Sequence, residues 1–318
     1  MMSAFRVRLR SVLFHHVADH DSSFTEGLGV RMDVEVFRDR VARLARRYNP
    51  VSLDDVRHAL AGGELPPRAL LVTIDDAYAT VATHAAPILD DYGIPSVFFV
   101  NGGFIDHGEM NIDNLVMHTA NVAGPAALER AVAHVRPAEV STHPASVLAD
   151  LVPTLGLDEV SELRHALEAE HERDPLAEAA SAGLYLSSAQ LRSLPESMTI
   201  ASHTKSHVRC RMLGPDELRE QITGNRRLLA EMTGASIDGF SVPYGSHLDY
   251  PPRVKEAVAS AGHDVSFLVE GQLNHGALDG GPLMRVSVAQ RSSAAAAVEL
   301  EVLPRLRHVR DALRGTTR

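Results

Sequence analysis

The chain carries two adjacent carboxylates, Asp75 and Asp76, directly after the apolar run from Ala69 to Ile74. Such a run is typical of a strand that is buried on both faces, and parallel α/β proteins form their sites at the carboxyl ends of these strands. Two carboxylates so close together repel each other unless a cation or a proton separates their roles. Metal binding by one and proton abstraction by the other would satisfy the pair. The alternative is a helix N-cap, in which the same residues accept backbone hydrogen bonds.

Two histidines four residues apart form a second cluster, in His203-Thr204-Lys205-Ser206-His207. On a helical turn this spacing would put both imidazoles on one face, from which they can bind one metal ion. Two histidines and a carboxylate are a common zinc ligand set that leaves a coordination position open for water. The cluster follows the predicted strand Met198 to Ser202, and it therefore lies at another strand end.

Two further motifs also follow predicted strands. The turn Pro243-Tyr244-Gly245 can aim the backbone N–H of Tyr244 at a developing oxyanion, or it can be a simple strand-ending turn. His15 and His16 follow the short apolar run Val12-Leu13-Phe14. Either histidine can reach the same face as the other motifs, or it can be a structural residue with satisfied hydrogen bonds. Because all four motifs occupy strand ends, one barrel would bring them together.

Strands and helices alternate along most of the chain, which predicts a parallel sheet or barrel. We expect a distorted, incomplete (β/α) barrel of about seven parallel strands, formed by a single catalytic domain over residues 1–318. No Gly-x-Gly-x-x-Gly motif follows a strand, so the sequence does not indicate a dinucleotide site. The predicted strands after the first are Ala69 to Ile74, Ser96 to Val100, Met198 to Ser202, Gly239 to Val242, Val265 to Val269 and Met284 to Val288.

Residues 106–184 interrupt this alternation. They are rich in Ala, Glu, Leu and His, and they predict a mostly helical insertion on one barrel loop. Long insertions of this kind often act as lids or select substrates, although a passive packing role is the alternative. Residues 292–318 predict a C-terminal helical segment, which Pro304 should kink or split.

The composition limits the kinds of partner. A net charge of −10 argues against nucleic acid or an anionic membrane surface. No stretch of 18 apolar residues is present, so we expect no membrane span. The N-terminus lacks an apolar stretch of signal-peptide length and the chain has one cysteine, Cys210, which together favour a cytoplasmic location. The absence of Trp and an aromatic content of 5% favour a small or short substrate over a long polymer.

The motifs resemble those of the polysaccharide deacetylase superfamily, carbohydrate esterase family 4. Thr73-Ile74-Asp75-Asp76 is similar to the family's Thr-Phe-Asp-Asp, which implies that Asp75 is the base and Asp76 a metal ligand. The His203 to His207 segment is similar to the family's histidine motif, and Pro243-Tyr244-Gly245 to its third motif. The resemblance therefore implies one divalent metal, with zinc preferred and cobalt, nickel or manganese as alternatives, bound by Asp76, His203 and His207.

Three departures from the family pattern change the other assignments. Ser241 stands where the family often has the Arg that orients the base, and Arg285 is the candidate to replace it. The aspartate–tryptophan motif is absent, and the usual C-terminal Leu-x-His has no good match, because Leu273-Asn274-His275 lies between glycines. A permuted branch of the family begins instead with Tyr-His-x-Val, which Phe14-His15-His16-Val17 resembles. That branch implies His15 as the general acid.

The expected activity is therefore removal of an N-acetyl group from an amino sugar or glycan precursor, with release of acetate. Tyr244 would supply its backbone N–H to the oxyanion, and Asp75 and His15 would move the protons. One alternative is a hydrolase of the same fold that acts on a formamide, a cyclic imide or a natural-product amide. The other is a binding protein that has lost catalysis. The sequence does not indicate an oligomeric state.

Overall fold

The fold is described from a computed structural model, which covers residues 7–138, 142–275, 278, 280–288 and 300. Within these ranges, a parallel sheet runs in the order β10-β1-β5-β6-β7-β8-β9-β11, with β4 beside β5 and β12 beside β1. The strands are β1 (Val7–Phe14), β2 (His16–Val17), β3 (Arg31–Met32), β4 (Asn49–Pro50), β5 (Ala69–Asp75), β6 (Ser96–Val100), β7 (Met198–Ser202), β8 (Gly239–Ser241), β9 (Val265–Leu268), β10 (Asn274–His275), β11 (Leu283–Met284) and β12 (Val286–Ser287).

The sheet curves into a barrel that is closed by very short strands. β11 pairs with β9, and β12 pairs with β1 after a single intervening residue, Arg285. This segment therefore links the two ends of the strand order β1-β5-β6-β7-β8-β9. The prediction of a distorted (β/α) barrel with about seven parallel strand positions is confirmed. β10 alone runs antiparallel, against the start of β1, where His275 pairs with Val7.

Helices cover the outside of the barrel and are started by side-chain caps. Asp33, Ser52 and Ser187 each accept backbone N–H groups at a helix start, as such residues commonly do. The α-helices are α1 (Val34–Arg47), α2 (Leu53–Leu60), α3 (Ala86–Asp91), α4 (Ile112–His118), α5 (Pro125–Val135), α6 (Pro144–Ser146), α7 (Leu157–Glu168), α8 (Pro175–Ser181), α9 (Ser188–Arg192), α10 (Pro215–Arg219), α11 (Asn225–Thr233) and α12 (Pro252–Ser260). None of the described helices is long and apolar enough to cross a bilayer.

The helix predicted from Asp216 to Thr233 contains one wider turn. α10 and α11 are joined by a π-helical turn over Glu220–Gly224, and α11 ends before Gly234, which has φ of 71°. Single π turns inside α-helices are frequent at functional sites. This one carries Gln221, whose side-chain oxygen accepts a hydrogen bond from the backbone N–H of Ser206.

Helices α4 to α8 lie between β6 and β7, within the residues 106–184 for which the sequence predicts an insertion, and α9 follows them before β7. Their apolar side chains, among them Leu115, Leu128 and Leu163, join the same core cluster as the barrel residues Val72 and Phe98. The insertion is therefore packed onto the barrel rather than set apart from it. The predicted C-terminal segment over 292–318 lies outside the described residues apart from Leu300, which is buried.

Candidate active site

The carboxyl ends of the parallel strands surround a cavity of about 340 Å³. β1, β5, β7 and β8 each deliver residues to it from the turn that follows the strand. The sixteen lining residues are Leu13, His15, Leu28, Val30, Asp75, Asp76, Tyr78, Asn111, Asp113, Leu148, His203, His207, Val242, Tyr244, Val269 and Ser287. The strand-end motifs identified in the sequence therefore line one cavity. Its volume is near the low end of the range for small-molecule sites.

Asp76, His203 and His207 form a buried ligand set. One side-chain donor atom from each residue lies within 4.8 Å of the others. His207 Nε2 is 3.6 Å from Asp76 Oδ1, and His203 Nε2 is 3.9 Å from the same oxygen. No other group of three or more His, Cys, Asp or Glu residues in the described part of the chain has such a geometry. The arrangement matches the two-histidine, one-carboxylate set that binds zinc and similar divalent ions.

The two histidines are neutral, and the tautomer of His203 is fixed by a hydrogen bond. His203 Nδ1 donates to the Ser241 carbonyl at 2.8 Å, which leaves Nε2 free of its proton. Burial lowers the pKa of His203, and burial together with the neighbouring His203 lowers the pKa of His207 well below its usual range. Both imidazoles are therefore neutral at neutral pH, which is the form that binds metals.

The segment between the histidines is a loop and not a helical turn, so the helical expectation for His203 to His207 was wrong. Thr204 and His207 have positive φ values of 60° and 53°, a backbone conformation that is unfavourable for these residue types. Two residues of this loop thus have left-handed backbone conformations, and both imidazoles still lie within 4 Å of Asp76 Oδ1. Such backbone strain persists only when surrounding contacts hold it.

Asp75 sits beside the ligand set and is held by Arg285. The guanidinium of Arg285 donates to both carboxylate oxygens, at 2.6 and 2.7 Å, and also to the Ser241 hydroxyl at 2.6 Å. The guanidinium lies over the rings of Phe99 and Phe267, 5.2 and 5.9 Å from their centroids. Arg285 thus reaches Asp75 from between β11 and β12. It contacts the carboxylate that the family's arginine would orient, and in this chain Ser241 stands at the position of that arginine.

These contacts keep Asp75 ionised. Burial alone would raise the pKa of Asp75, but the charge of Arg285, the neighbouring His203 ring and the hydrogen bonds from Arg285 outweigh it and lower this pKa to about 2. Asp76 behaves in the opposite way. Burial and the charges of Asp75 and Asp113 raise its pKa well above the usual range. The two adjacent carboxylates are therefore set up for different tasks.

The ligand set fits a divalent cation. Asp76 Oδ1 is buried and accepts no hydrogen bond from the described residues, although the Nε2 atoms of His203 and His207 lie 3.9 and 3.6 Å from it. A buried carboxylate oxygen in this position is costly unless a cation or proton satisfies it. A cation would favour the ionised form of Asp76 and would use the open donor atoms of all three residues.

Tyr244 lies against the ligand set with a strained backbone. Its φ is 62°, its ring centroid is 4.9 Å from that of His207, and the guanidinium of Arg209 lies 4.1 Å from the ring centroid on one face. Among the described residues, no group accepts a hydrogen bond from its backbone N–H. Within the described part of the chain that N–H is therefore free of a protein acceptor, as an oxyanion donor would need to be.

His15 and His16 have separate roles. His15 lines the cavity, and burial lowers its pKa to about 4 against the opposing charge of Asp75. His16 instead forms a hydrogen bond of 2.9 Å with the Thr80 hydroxyl and does not line the cavity. His275 lies beside Val7 at the start of β1, whereas His15 follows the end of that strand, so His275 is at the opposite end of the barrel.

Two residues that line or support this site were not predicted from the sequence. Asp113 projects into the cavity from the first turn of α4, inside the insertion. Gln221 supports the strained loop, because its side-chain oxygen accepts Ser206 N–H at 2.9 Å and its carbonyl accepts Lys205 N–H at 3.0 Å. The sequence signal for Asp113 was only that of an acidic residue at a helix start, and Gln221 had no signal, because it acts through a π turn.

The chain belongs to the polysaccharide deacetylase family, whose family model matches residues 62–266. This range contains Asp75, Asp76, His203, His207 and Tyr244, whereas His15 and Arg285 lie outside it. Membership of this family identifies the fold and site as those of a hydrolase that acts on amide bonds.

Individual relatives agree with the family assignment. Poly-β-1,6-N-acetyl-D-glucosamine N-deacetylase of Escherichia coli is 32% identical over 98 residues, which cover 30% of this chain and 14% of that protein. The deacetylase PplD of Streptococcus pyogenes superimposes with a TM-score of 0.62 at 13% identity, covering 93% of this chain and 98% of that one. A de-N-acetylase from Aggregatibacter actinomycetemcomitans gives a TM-score of 0.60 at 16% identity, covering 92% and 99%. These structural likenesses show a shared fold.

Proposed function

We propose that this chain is a metal-dependent hydrolase that removes the N-acetyl group from an amino sugar or glycan precursor and releases acetate. The observation that carries the proposal is the buried set of Asp76, His203 and His207, with donor atoms within 4.8 Å of one another. Asp75, which is held ionised by Arg285, stands 3.7 Å from His203 Nε2. The E. coli relative, an N-deacetylase of poly-β-1,6-N-acetyl-D-glucosamine, supports the N-acetyl amino sugar as substrate.

Asp76, His203 and His207 would hold one divalent ion, for which we propose zinc, with cobalt, nickel or manganese as alternatives. When bound, such an ion supplies Lewis acidity to the amide carbonyl and makes a water molecule easier to deprotonate. The two imidazoles are already neutral and the histidine nearer Asp75 already has its tautomer fixed by Ser241. Both histidines therefore already have the charge state that binds a metal, whereas binding would displace a proton from Asp76, whose pKa is raised well above its usual range.

Asp75 accepts the proton of the attacking water. The pKa of about 2 makes it a weak base, but it guarantees the ionised form over the whole physiological range. Arg285 fixes both carboxylate oxygens, so the group cannot rotate away from the ligand set. The backbone N–H of Tyr244 donates to the oxyanion that forms when the carbonyl carbon becomes tetrahedral.

His15 returns a proton to the leaving amine. Because burial lowers the pKa of His15 to about 4, its ring is neutral in the resting protein at neutral pH. It must therefore gain a proton within the same turnover, and transfer of the water proton from Asp75 to His15 would supply it. That transfer returns Asp75 to its ionised form, whose charge favours protonated His15. Protonation of the nitrogen then lets the amine leave and completes the release of acetate.

A panel of N-acyl substrates tests this function. We expect acetate release from N-acetylglucosamine or a short β-1,6-linked oligomer of it, and no release by the Asp75→Asn variant at equal metal content. The cavity of about 340 Å³ favours a short substrate, so the single sugar and the oligomer are compared at equal concentrations of acetyl groups. Turnover only of formamides or cyclic imides would overturn the deacetylase assignment, and an absence of any turnover with bound sugar would favour a binding protein.

A further inference from the structure

A carboxylate that the proposed chemistry does not use faces the cavity from the insertion. Asp113 stands on the first turn of α4, where its backbone N–H is capped by the Asn111 side chain at 3.0 Å. The residue is half-buried, and its side chain lines the same cavity as Asp75 and Asp76. It belongs neither to the ligand set nor to the pair that Arg285 forms with Asp75.

The partners of Asp113 leave most of its hydrogen-bonding capacity free. The Tyr244 hydroxyl donates to Asp113 Oδ1 over a long distance of 3.4 Å. The cation whose charge lowers the pKa of Asp113, Arg209, is bound to both carboxylate oxygens of Asp249, at 2.8 and 2.9 Å. Burial raises the pKa of Asp113 to about 6, against the effects of Tyr244 and Arg209. A carboxylate in this condition gains free energy from any further donor that enters the cavity.

The other residues around the cavity limit which kind of hydrogen-bond donor of a substrate could bind Asp113. Leu13, Leu28 and Val30 are aliphatic, as are Leu148 and Val242 on other elements. They offer no polar competition for Asp113. Of the polar lining groups, the Tyr78 hydroxyl already pairs with the Asn114 side chain, and the Asn111 side-chain oxygen accepts the Asp113 N–H. The charge of Asp113 also acts on Asp76, so a cationic substrate group at Asp113 would lie close to the cation that Asp76 is built to hold. Repulsion between two cations favours a neutral donor, and an alcohol is the neutral donor that an amino sugar carries in addition to its amide.

We propose that Asp113, together with the hydroxyl of Tyr244, binds a free hydroxyl group of an N-acyl amino sugar and so selects sugars over simple amides. This inference rests on the proposed function. It gives the insertion a specific role, because α4 supplies a polar contact that the barrel strands do not provide. A buried acceptor left without its donor also rejects substrates that lack the hydroxyl, which is how such sites discriminate strongly.

Binding of an unreactive analogue tests the proposal without turnover. N-methylsulfonyl-glucosamine keeps the sugar hydroxyls and is not hydrolysed, and its monodeoxy analogues each lack one of them. Affinities are measured by calorimetry for the metal-loaded wild-type chain, for Asp113→Ala, and for Asp158→Ala as the matched control. Asp158 is an exposed carboxylate in the first turn of α7 in the same insertion, so its loss changes the same charge away from the cavity.

We expect Asp113→Ala to weaken binding of the full sugar by about 10- to 100-fold, and Asp158→Ala to leave it unchanged. One monodeoxy analogue should bind wild type and Asp113→Ala equally weakly, because the contact is already missing. Equal affinity of wild type and Asp113→Ala for the full sugar would overturn the proposal. The same holds if Asp113→Ala loses affinity equally for the sugar and for every monodeoxy analogue, or if wild type does not bind the sugar at all. Acetate release by the wild-type chain is measured in parallel. If acetate is released but Asp113→Ala binds the sugar as tightly as wild type does, only this inference is overturned. If Asp113→Ala binds the sugar more weakly but wild type releases no acetate, only the proposed function is overturned.

Discussion

Replacement of Arg285 by Met should destabilise the protein and disable Asp75 together. The guanidinium is fully buried and the Asp75 side chain is 3% exposed, and a Met side chain cannot donate either of the two hydrogen bonds of 2.6 and 2.7 Å. Loss of one partner from a buried ion pair costs about 3–5 kcal/mol, because the other charge remains without compensation. The largest effect that lowers the pKa of Asp75 also disappears, so burial should then raise this pKa.

Urea unfolding and acetate release measure the two effects. We expect the free energy of unfolding of Arg285→Met to fall by about 3–5 kcal/mol, and the acid limb of the pH–rate profile to move to higher pH. Arg285→Lys is the matched control, since it keeps the charge but cannot donate to both oxygens in a planar fork. It should lie between wild type and Arg285→Met in both measurements.

A double variant separates the ion pair from simple loss of packing. In Arg285→Met with Asp75→Asn no buried charge is left alone, so the double variant should be more stable than Arg285→Met by itself. If Arg285→Met unfolds within about 1 kcal/mol of wild type and keeps the wild-type pH–rate profile, the assigned role of Arg285 is wrong.

Three more changes test other parts of the site and fold. Gln221→Leu leaves the Ser206 N–H without its acceptor, and metal affinity measured by competition with a chelator should fall about 10- to 100-fold; unchanged affinity would show that the loop keeps its shape without Gln221. His15→Ala should lower kcat for acetate release by about 10²- to 10⁴-fold with metal content unchanged, and a wild-type kcat would remove His15 from the proton path. Burial lowers the pKa of His263 from 6.5 to about 4. Between these two pH values the unfolded chain binds a proton at this residue and the folded protein does not, so the free energy of unfolding should drop as pH falls from 6.5 to 4. His263→Phe should remove about 3 kcal/mol of that drop, and an identical pH dependence in urea unfolding would contradict it.

The barrel and the meeting of the strand-end motifs could be predicted from the sequence because both depend on local patterns. β6 and β7 coincide with the predicted strands Ser96 to Val100 and Met198 to Ser202, since buried parallel strands read as short continuous apolar runs. Once the strands are placed, their common direction brings the residues that follow them to one end of the barrel. The first strand was predicted too short, because Arg8 and Arg10 interrupt the apolar pattern of β1.

The support of the site could not be predicted, because it depends on contacts between distant segments. Arg285 is 210 residues from Asp75 in the chain, and only the closure of the barrel between β11 and β12 brings them together. The left-handed conformations of Thr204 and His207 follow from tertiary contacts and not from their residue types. Asp113 entered the cavity for the same reason, since the packing of α4 against the barrel decides which face of that helix meets the site.

Acetate release as a function of added metal tests the central claim most directly. The wild-type chain is stripped with a chelator, and the release of acetate from N-acetylglucosamine or its short β-1,6-linked oligomer is followed while zinc is added. We predict no activity in the stripped protein and a linear rise that ends at one equivalent of zinc per chain, with His203→Ala inactive throughout. Full activity in the stripped protein, or a His203→Ala variant that responds to zinc like wild type, would contradict a metal-dependent site at Asp76, His203 and His207.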